Sequence, residues 1–370
     1  MKEIADILQA YKNTDFQKRK AALATVIHVE GSSYRRTGAR MLIFDNGQWI
    51  GGISGGCLEG DALLKAQRVL FQNQPQIVTY DTREEDAHQV GIGLGCNGLI
   101  RVLIAPLRPD DERNPLEILK NCVDERRENI LLTITDRKGD LPVSVGDMFR
   151  VEDTPRFREQ LRAAVPDDTL FADIRQTLQN RKSKLQTYTP TPGTQVEIFI
   201  EYLPPRLHLV LFGSNYDIYP FVGLAKSVGW KVSVVGNLSK LHKDLFATAD
   251  AVFSHKKQPP RPDENTALVL MAHDYQTDLR NLRTALLADA PYIGVLGPKK
   301  RFDKMLNELK SEGIIPTPDQ LRKIHAPVGL DTGATTPEEI AIAIIAEIRA
   351  FFAGRNGGFL KWRDQPIHTV

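Results

Sequence analysis

The sequence GGISGGCLEGD, at residues 51–61, decides how we interpret the amino-terminal part of the chain. Its glycines allow a sharp backbone turn and the close approach of a large ligand. The residues that follow the glycines have the spacing of one face of a helix. They are Leu58, Ala62, Lys65, Ala66, Val69 and Leu70. We therefore predict a short strand, a glycine turn and a helix whose first turn contains Cys57.

The chemistry of this turn centres on Cys57. The first N–H groups of a helix attract anions, and their positive potential favours a thiolate over a thiol. Cys57 is thus a candidate soft metal ligand or sulfur nucleophile, beside a candidate site for a phosphate or an oxo-metal group. A plain strand-to-helix turn with a small buried cysteine explains the same residues equally well.

A second glycine-rich stretch, GIGLGCNG at residues 91–98, precedes another predicted strand. It places Gly95, Cys96 and Asn97 in a second Gly–Cys turn of the same small region. Each turn alone is a weak signal. Together they predict a single pocket that the two turns face from opposite sides.

Three arginines lie between two predicted strands, from residue 21 to 30 and from 41 to 44, and they are Arg35, Arg36 and Arg40. The planar guanidinium group donates two parallel hydrogen bonds and therefore suits a phosphate. The alternative is an ordinary charged loop in contact with water.

Composition limits the classes of function. A chain of 370 residues exceeds one ordinary core, so we expect at least two domains. The net charge of +2 provides no basic field for nucleic acid, and no apolar run is long enough to span a membrane. Three widely spaced cysteines form no disulfide framework. We predict a cytoplasmic protein with reduced thiols.

The pattern of elements changes at Pro204 and Pro205. Before them, strands and helices are mixed, whereas after them they alternate, which predicts a parallel sheet with helices on both faces. The predicted class is α/β, with a mixed α+β amino-terminal domain and a Rossmann-like carboxyl-terminal domain. The predicted divisions are residues 1–105, a connecting region at 106–205, the second domain at 206–355 and a tail at 356–370.

The turns that follow the predicted parallel strands form a second candidate pocket, because ligands of such sheets bind at the carboxyl ends of strands. His273 suits the role of acid, base or metal ligand there, although a histidine in this position often only bonds a neighbouring loop. The basic head of the helix at residue 299 suits an anion, or is simply a basic face. The candidate residues are Gly213, Asn215, Asp217, His273, Gly297 and Lys299.

A dinucleotide site is disfavoured in this second domain. The fingerprint requires glycines at the positions of Asn215 and Ile218, and an acidic residue near Asn237 to hold a ribose. We therefore do not expect NAD(P). The sequence also lacks the His-x-x-x-His, Cys-x-x-Cys and phosphate-loop patterns of zinc and nucleotide-hydrolysing sites.

Taken together, these motifs resemble the XdhC/CoxI family of xanthine dehydrogenase accessory proteins over nearly the whole chain. The resembling segments are ATV at 24–26, GSSYRR at 31–36, GARM at 38–41, ISGGCLE at 53–59, GLGCNG at 93–98, YIGVLG at 292–297, APVGLDTGA at 326–334 and TPEEIA at 336–341. The connecting region, from about residue 106 to 203, resembles nothing recognisable.

The resemblance implies a chaperone for molybdenum cofactor rather than an enzyme. Such proteins bind the molybdopterin cofactor, protect it while a cysteine desulfurase adds its terminal sulfur, and pass it to an apo molybdenum hydroxylase of the xanthine dehydrogenase type. We expect Cys57 and Cys96 to contact or guard the metal, and Glu59 to accept a hydrogen bond from a pterin nitrogen. The predicted cofactor-binding residues are Arg35, Arg36, Arg40, Ser54, Gly55, Gly56, Cys57, Glu59, Gly95, Cys96 and Asn97.

Two other classes of function stay open from the sequence alone. One is an NAD(P)-dependent oxidoreductase that uses His273 or Lys299 in its chemistry. The other is a scaffold in which neither glycine turn holds a ligand. Edge strands and a long terminal helix also favour a homodimer.

Overall fold

The computed structural model describes residues 1–81, 83, 98–111, 113–364 and 367. The chain forms two compact units, Met1–Pro205 and Arg206–Val370. The finer division of the first unit at residue 105, and the separate tail, stay predictions.

The first unit contains two antiparallel sheets, with the strand orders β3-β2-β1-β5-β4 and β7-β6-β9-β8. Its elements are α1 (Lys2–Lys12), β1 (Ala21–Gly31), β2 (Arg40–Phe44), β3 (Trp49–Gly51), α2 (Glu59–Gln72), β4 (Gln76–Asp81), β5 (Gly98–Pro106), α3 (Pro115–Asp124), β6 (Asn129–Lys138), β7 (Met148–Arg150), α4 (Pro155–Ala164), α5 (Thr169–Asn180), β8 (Lys184–Tyr188) and β9 (Gln195–Leu203).

Strand β1 shows why this unit packs as it does. Ala22, Ala24 and Val26 face the same core as the apolar side of α2, which begins directly after the glycine stretch. Ala21 and Leu23 point to the opposite core, against α1 and α3. This period of two lets one strand serve two cores. The predicted helix start at Cys57 is wrong, since α2 begins at Glu59.

The second unit is built on one sheet of six parallel strands, in the order β12-β11-β10-β13-β14-β15. Its elements are β10 (His208–Phe212), α6 (Ile218–Ser227), β11 (Lys231–Gly236), α7 (Lys243–Thr248), β12 (Ala251–Ser254), β13 (Thr266–Leu270), α8 (Tyr275–Leu287), β14 (Tyr292–Val295), α9 (Lys299–Ser311), α10 (Pro318–Arg322), β15 (Ile324–His325) and α11 (Pro337–Phe352). The predicted Rossmann-like sheet is confirmed.

Both faces of this sheet are buried, as parallel sheets require. Leu209 and Leu211 face α6 and α11, while Val210 and Phe212 face α8. Each fully buried side chain of this kind contributes about 1.5–3 kcal/mol. The chain reverses its winding direction between β10 and β13, which are neighbours in the sheet. That reversal leaves a crevice at their carboxyl ends.

Within the described residues, no helix has both the length and the apolar character needed to cross a membrane.

Candidate functional site

Residues 52–58, called here the Ser54 loop, connect β3 to α2 and are organised by one hydroxyl group. Ser54 Oγ accepts the N–H groups of Gly56, Cys57 and Leu58 at 3.2, 3.1 and 3.0 Å. The same hydroxyl donates to the carboxylate of Glu59. These N–H groups were predicted to face an external anion; in the structure they point to Ser54 Oγ, so such an anion would compete with the protein's own serine, and the anion site stays a prediction.

The Glu59 carboxylate accepts hydrogen bonds from the backbone of the Ser54 loop. Its Oε1 accepts the N–H groups of Ile53 and Ser54 at 3.0 and 2.8 Å, and its Oε2 accepts that of Leu58 at 3.2 Å. Burial alone would raise the pKa of this carboxyl, but the hydrogen bonds from Ser54 and Ile53 outweigh it and hold the pKa below its usual value. Both oxygens are engaged, so the prediction that Glu59 accepts from a ligand gives way to a positioning role.

The Ser54 loop carries a cysteine, Cys57, near the start of α2. The thiol is free and half-buried, and its Sγ lies 3.4 Å from Ser54 Oγ. The neighbouring Gly56 has φ +111°, which favours glycine, and open space lies where its side chain would stand. A side chain at Gly55 would meet the Tyr34 ring at 3.3 Å, so only glycine lets that exposed ring lie against the loop.

The Arg40 side chain forms an ion pair in the interior of the first unit. It is fully buried and pairs with Glu201 through two hydrogen bonds, at 2.9 and 2.5 Å. The same guanidinium donates to Gly38 O at 2.8 Å. A phosphate has no access to it, so the prediction that Arg40 contacts a cofactor is wrong.

The other two arginines of the same segment lie nearer the surface. Arg35 pairs with Glu3, whose second oxygen accepts the Arg40 N–H at 2.8 Å. Arg36 is half-buried, and its Nε makes no hydrogen bond within the described part of the chain. The Nε of Arg40 also lacks a partner, but that side chain is fully buried, whereas the Arg36 side chain is partly exposed.

The second Gly–Cys turn lies outside the described residues, and with it Gly95, Cys96 and Asn97. Gly98, at the start of β5, pairs with Gly31 at the end of β1. A side chain at Gly98 would fall 2.3 Å from Ser32 O, so the 31–34 turn passes directly beside the start of β5. The convergence of Cys57 and Cys96 stays a prediction.

Cys122 differs from Cys57 in its surroundings. It lies on α3 in the core, and burial raises the pKa of its thiol to about 11. Among the described residues, no group of three or more histidine, cysteine or acidic side chains is arranged to hold a metal ion.

In the second unit, residues 213–217, called here the Ser214 turn, join β10 to α6. Ser214 Oγ accepts the N–H of Asn237 at 2.7 Å, and Asn215 Nδ2 donates to Ala272 O at 3.2 Å. A side chain at Gly236 would fall 2.4 Å from Gly213 O. These contacts tie the Ser214 turn to the chain that follows β11 and β13, and they use the Ser214 hydroxyl and the Asn215 amide within the protein.

His273 and Asp217 form a close pair at the crevice between β10 and β13. His273 Nε2 lies 2.5 Å from Asp217 Oδ2. A pocket of about 110 Å³ adjoins the pair. Its lining contains Tyr216, Asp217, Phe221, Met271, His273, Leu296, Thr335, Pro337, Ile340 and Ala341.

The pocket agrees only in part with the sequence-based set. Asp217 and His273 line it, whereas Gly213, Asn215, Gly297 and Lys299 do not. The residues at 335–341 were missed, because they come from the start of α11, and their Thr-Pro-Glu-Glu pattern indicates only a helix cap.

Gly297 and Lys299 belong to the turn between β14 and α9. Gly297 has φ +122° and lies against the Arg301 guanidinium, while Lys299 is exposed. Arg301 pairs with the buried Asp278 at 2.7 Å, so this basic group is already neutralised. Burial raises the pKa of Asp278.

Two family models match the chain: the XdhC and CoxI family at residues 17–81, and the XdhC Rossmann domain at residues 209–348. A protein of Bacillus subtilis, named as a probable xanthine dehydrogenase subunit, is 28% identical over 90% of this chain and 93% of its own length. The molybdenum cofactor insertion chaperone PaoD of Escherichia coli is 24% identical over 89% of this chain and 82% of its own.

A solved structure has a similar fold across both units. It is a crystal structure of a protein titled a xanthine dehydrogenase from Bacillus halodurans, with a TM-score of 0.69 and 28% sequence identity. The match covers 96% of this chain and 97% of that one.

Proposed function

The chain belongs to the XdhC and CoxI family, and from this premise we propose that it binds molybdenum cofactor and assists its insertion into a molybdenum hydroxylase of the xanthine dehydrogenase type. The names of the two curated relatives support this proposal, since one is a molybdenum cofactor insertion chaperone and the other a probable xanthine dehydrogenase subunit. In this role the cofactor is cargo, and the protein is a carrier rather than an enzyme.

The observation that carries the proposal is the Cys57 thiol on a loop held rigid by Ser54 and Glu59. Molybdenum bound by sulfur is a soft centre, and a half-buried thiol is a suitable partner for it. The hydrogen bonds from Ile53, Ser54, Gly56 and Leu58 to Ser54 and Glu59 hold the loop in one conformation before the cargo arrives. A preorganised contact of this kind reduces the entropic cost of binding.

The pterin part of the cargo has two suitable neighbours. The exposed Tyr34 ring against Gly55 provides a flat apolar surface on which a planar heterocycle can stack. The half-buried Arg36 guanidinium makes no ion pair with the described residues, so it is the group of this segment proposed to meet the phosphate, and a charged donor of this type forms strong hydrogen bonds. Arg40 and Glu59 act behind these contacts, by holding the backbone.

We further propose that the bound cofactor is protected while a cysteine desulfurase adds its terminal sulfur. Cys96 would complete the site opposite Cys57, as the second soft contact with the metal. A homodimer in the cytoplasm that meets its apo hydroxylase directly is the assembly consistent with this role.

The test is the molybdenum and pterin content of the full chain, purified from a cofactor-producing host or incubated with excess free cofactor. Metal analysis and the fluorescence of the oxidised pterin give two independent readouts. We expect Cys57→Ala to weaken retention about tenfold, a change of about 1.4 kcal/mol. Cys122→Ala is the matched control, since its thiol is buried on α3, and it should retain the cofactor.

Two results would contradict the proposal. One is a native protein that acquires neither molybdenum nor pterin from an excess of free cofactor. The other is equal retention by the Cys57→Ala variant and the native protein, which would remove the thiol from the site.

A further inference from the structure

We infer that the second unit holds a separate site for a small molecule of about one ring in size, which donates an O–H or N–H hydrogen bond to His273. The site is the 110 Å³ pocket at the carboxyl ends of β10 and β13. It lies at the point where the winding of the parallel sheet reverses, which is where ligands of such sheets bind. The inference does not depend on the proposed cofactor transfer.

The pairing with Asp217 fixes which nitrogen of His273 faces a ligand. The Asp217 carboxylate only accepts hydrogen bonds, so the proton of a neutral imidazole must lie on Nε2, which is 2.5 Å from Oδ2. Nδ1 is then the acceptor, and within the described residues it makes no hydrogen bond. The second Asp217 oxygen, Oδ1, is buried and has no hydrogen-bond partner among the described residues. His273 thus donates the hydrogen bond that Asp217 Oδ2 accepts.

The backbone around His273 is held in an uncommon conformation. His273 has φ +59°, in the left-handed region that residues with a side chain rarely adopt. The preceding Ala272 is fixed at both polar groups, since its N–H donates to Asp278 at 2.9 Å and its C=O accepts from Asn215 at 3.2 Å. Arg301 anchors Asp278 in turn. This arrangement fixes the imidazole at the edge of the pocket.

The walls of the pocket define the class of ligand. Phe221, Met271 and Ile340 make most of it apolar, and a cavity on the order of 100–150 Å³ holds a single aromatic ring. Of the polar groups at its rim, the Tyr216 hydroxyl can donate or accept, whereas the Asp217 carboxylate only accepts. Thr335 Oγ1 already donates to Glu339, so its hydroxyl can only accept, as can His273 Nδ1. A ligand that bonds His273 Nδ1 must therefore supply the donor itself, as a phenol or an N–H heterocycle does.

The experiment uses phenol as the probe and toluene as its match, because toluene has a similar ring without an O–H group. Binding to the full chain is followed by nuclear magnetic resonance titration. We expect saturable binding of phenol, weakened at least tenfold in His273→Asn and Asp217→Asn. Asparagine tolerates a left-handed backbone, so His273→Asn preserves the fold. His255→Asn, at another histidine of the same unit, is the control and should bind phenol as the native protein does.

A second readout is independent of any ligand. The ¹⁵N spectrum of the native protein should show neutral His273 protonated at Nε2, and Asp217→Asn should shift that population towards Nδ1. Toluene binding as tightly as phenol, unchanged phenol binding in a folded His273→Asn variant, or a native Nδ1–H tautomer would each overturn the inference.

Discussion

The Ser54 loop of the first unit and the Ser214 turn of the second are both glycine-containing connections from a strand to a helix, and in both a serine hydroxyl accepts backbone N–H groups. Ser54 accepts three of them from its own loop, whereas Ser214 accepts one from Asn237 on another connection. Neither turn leaves these donors for a phosphate. The difference is the side chain presented: the Cys57 thiol in the first unit and, in the second, the Asp217 carboxylate, which pairs with the His273 imidazole of the connection after β13.

The comparison teaches that a glycine-rich turn before a helix does not by itself define an anion site. The backbone donors must also lack an internal partner, and a serine placed in the turn supplies one. The chemistry of each site then depends on a side chain that the turn holds in place. Thus Cys57 and His273, rather than the glycines, distinguish the two sites.

The two units also differ in the ion pair behind each turn. Arg40 and Glu201 are 0% and 4% exposed, whereas Arg301 is 22% exposed beside a fully buried Asp278. Removing one member of an enclosed pair leaves an uncompensated charge, while a partly exposed arginine can turn towards water. This contrast leads to the largest expected effect.

We expect Glu201→Ala to lower the free energy of unfolding by about 3–5 kcal/mol, because the Arg40 guanidinium is then buried without its partner. Asp278→Ala should cost less, about 2–3 kcal/mol, since Arg301 reaches water and the Ala272 N–H is the main group left unpaired. Urea unfolding followed by circular dichroism measures both. Asp15→Ala, at an exposed pair with Lys18, is the control and should change little. An equal or larger loss for Asp278→Ala would reverse the comparison.

Much of the fold follows from local pattern. The alternation of strand and helix after residue 205 predicts the parallel sheet. Apolar periodicity also predicts a strand at residues 195–203 and a helix at residues 299–311, and these are the bounds of β9 and α9. These elements depend on apolar periodicity within each segment, which the sequence displays directly.

The parts of the site that sequence analysis missed depend on contacts between distant residues. Arg40 looked like a phosphate ligand because its partner Glu201 lies 161 positions away. Part of the wall of the His273 pocket comes from α11, more than one element removed from β13. Glu59 is different, since its partners Ile53 and Ser54 are close in sequence. Nothing in the composition, however, distinguishes a carboxylate that binds its own loop from one that binds a ligand.

The second prediction concerns pH, because the two buried acids respond in opposite directions. The folded pKa of Glu59 is below its usual 4.5, so it contributes stability above that pH and loses it as the pH falls through the folded value. The folded pKa of Asp278 is above its usual 3.8, so it favours the folded state at low pH and loses that contribution as the pH rises through the folded value.

Glu59→Gln should therefore cost about 2–3 kcal/mol at neutral pH, and it should flatten the loss of stability below about pH 4.5. Asp278→Asn should instead remove a contribution that stabilises the folded state at acidic pH. Unfolding curves from pH 3 to 7 compare the variants. A Glu59→Gln profile parallel to that of the native protein would show that this carboxylate is not the group that titrates.

The third prediction tests the two serines directly. Ser54→Ala removes an acceptor shared by three N–H groups and a donor to Glu59, and should cost about 1–2 kcal/mol, since part of the loop can bind water instead. Ser214→Ala leaves one N–H of Asn237 and should cost about 1 kcal/mol. Only the first should change the alkylation rate of Cys57 by iodoacetamide. A faster reaction of Cys57 in Ser214→Ala would mean that the thiol does not report on its own loop.

The smallest effect is expected for a nicotinamide dinucleotide. The native protein should show no saturable change of intrinsic fluorescence with NADH, because the Ser214–Asn237 bond and the Gly236 backbone fill the turn. Asn215→Gly brings the sequence one step nearer to the dinucleotide fingerprint, yet it should not create binding, since both obstacles stay in place. It should only remove the hydrogen bond to Ala272 O, which lowers the free energy of unfolding by about 1 kcal/mol or less. Saturable binding of NADH to either protein would place an anion at the Ser214 turn, and the two turns would then differ in their free donors as well as in their side chains.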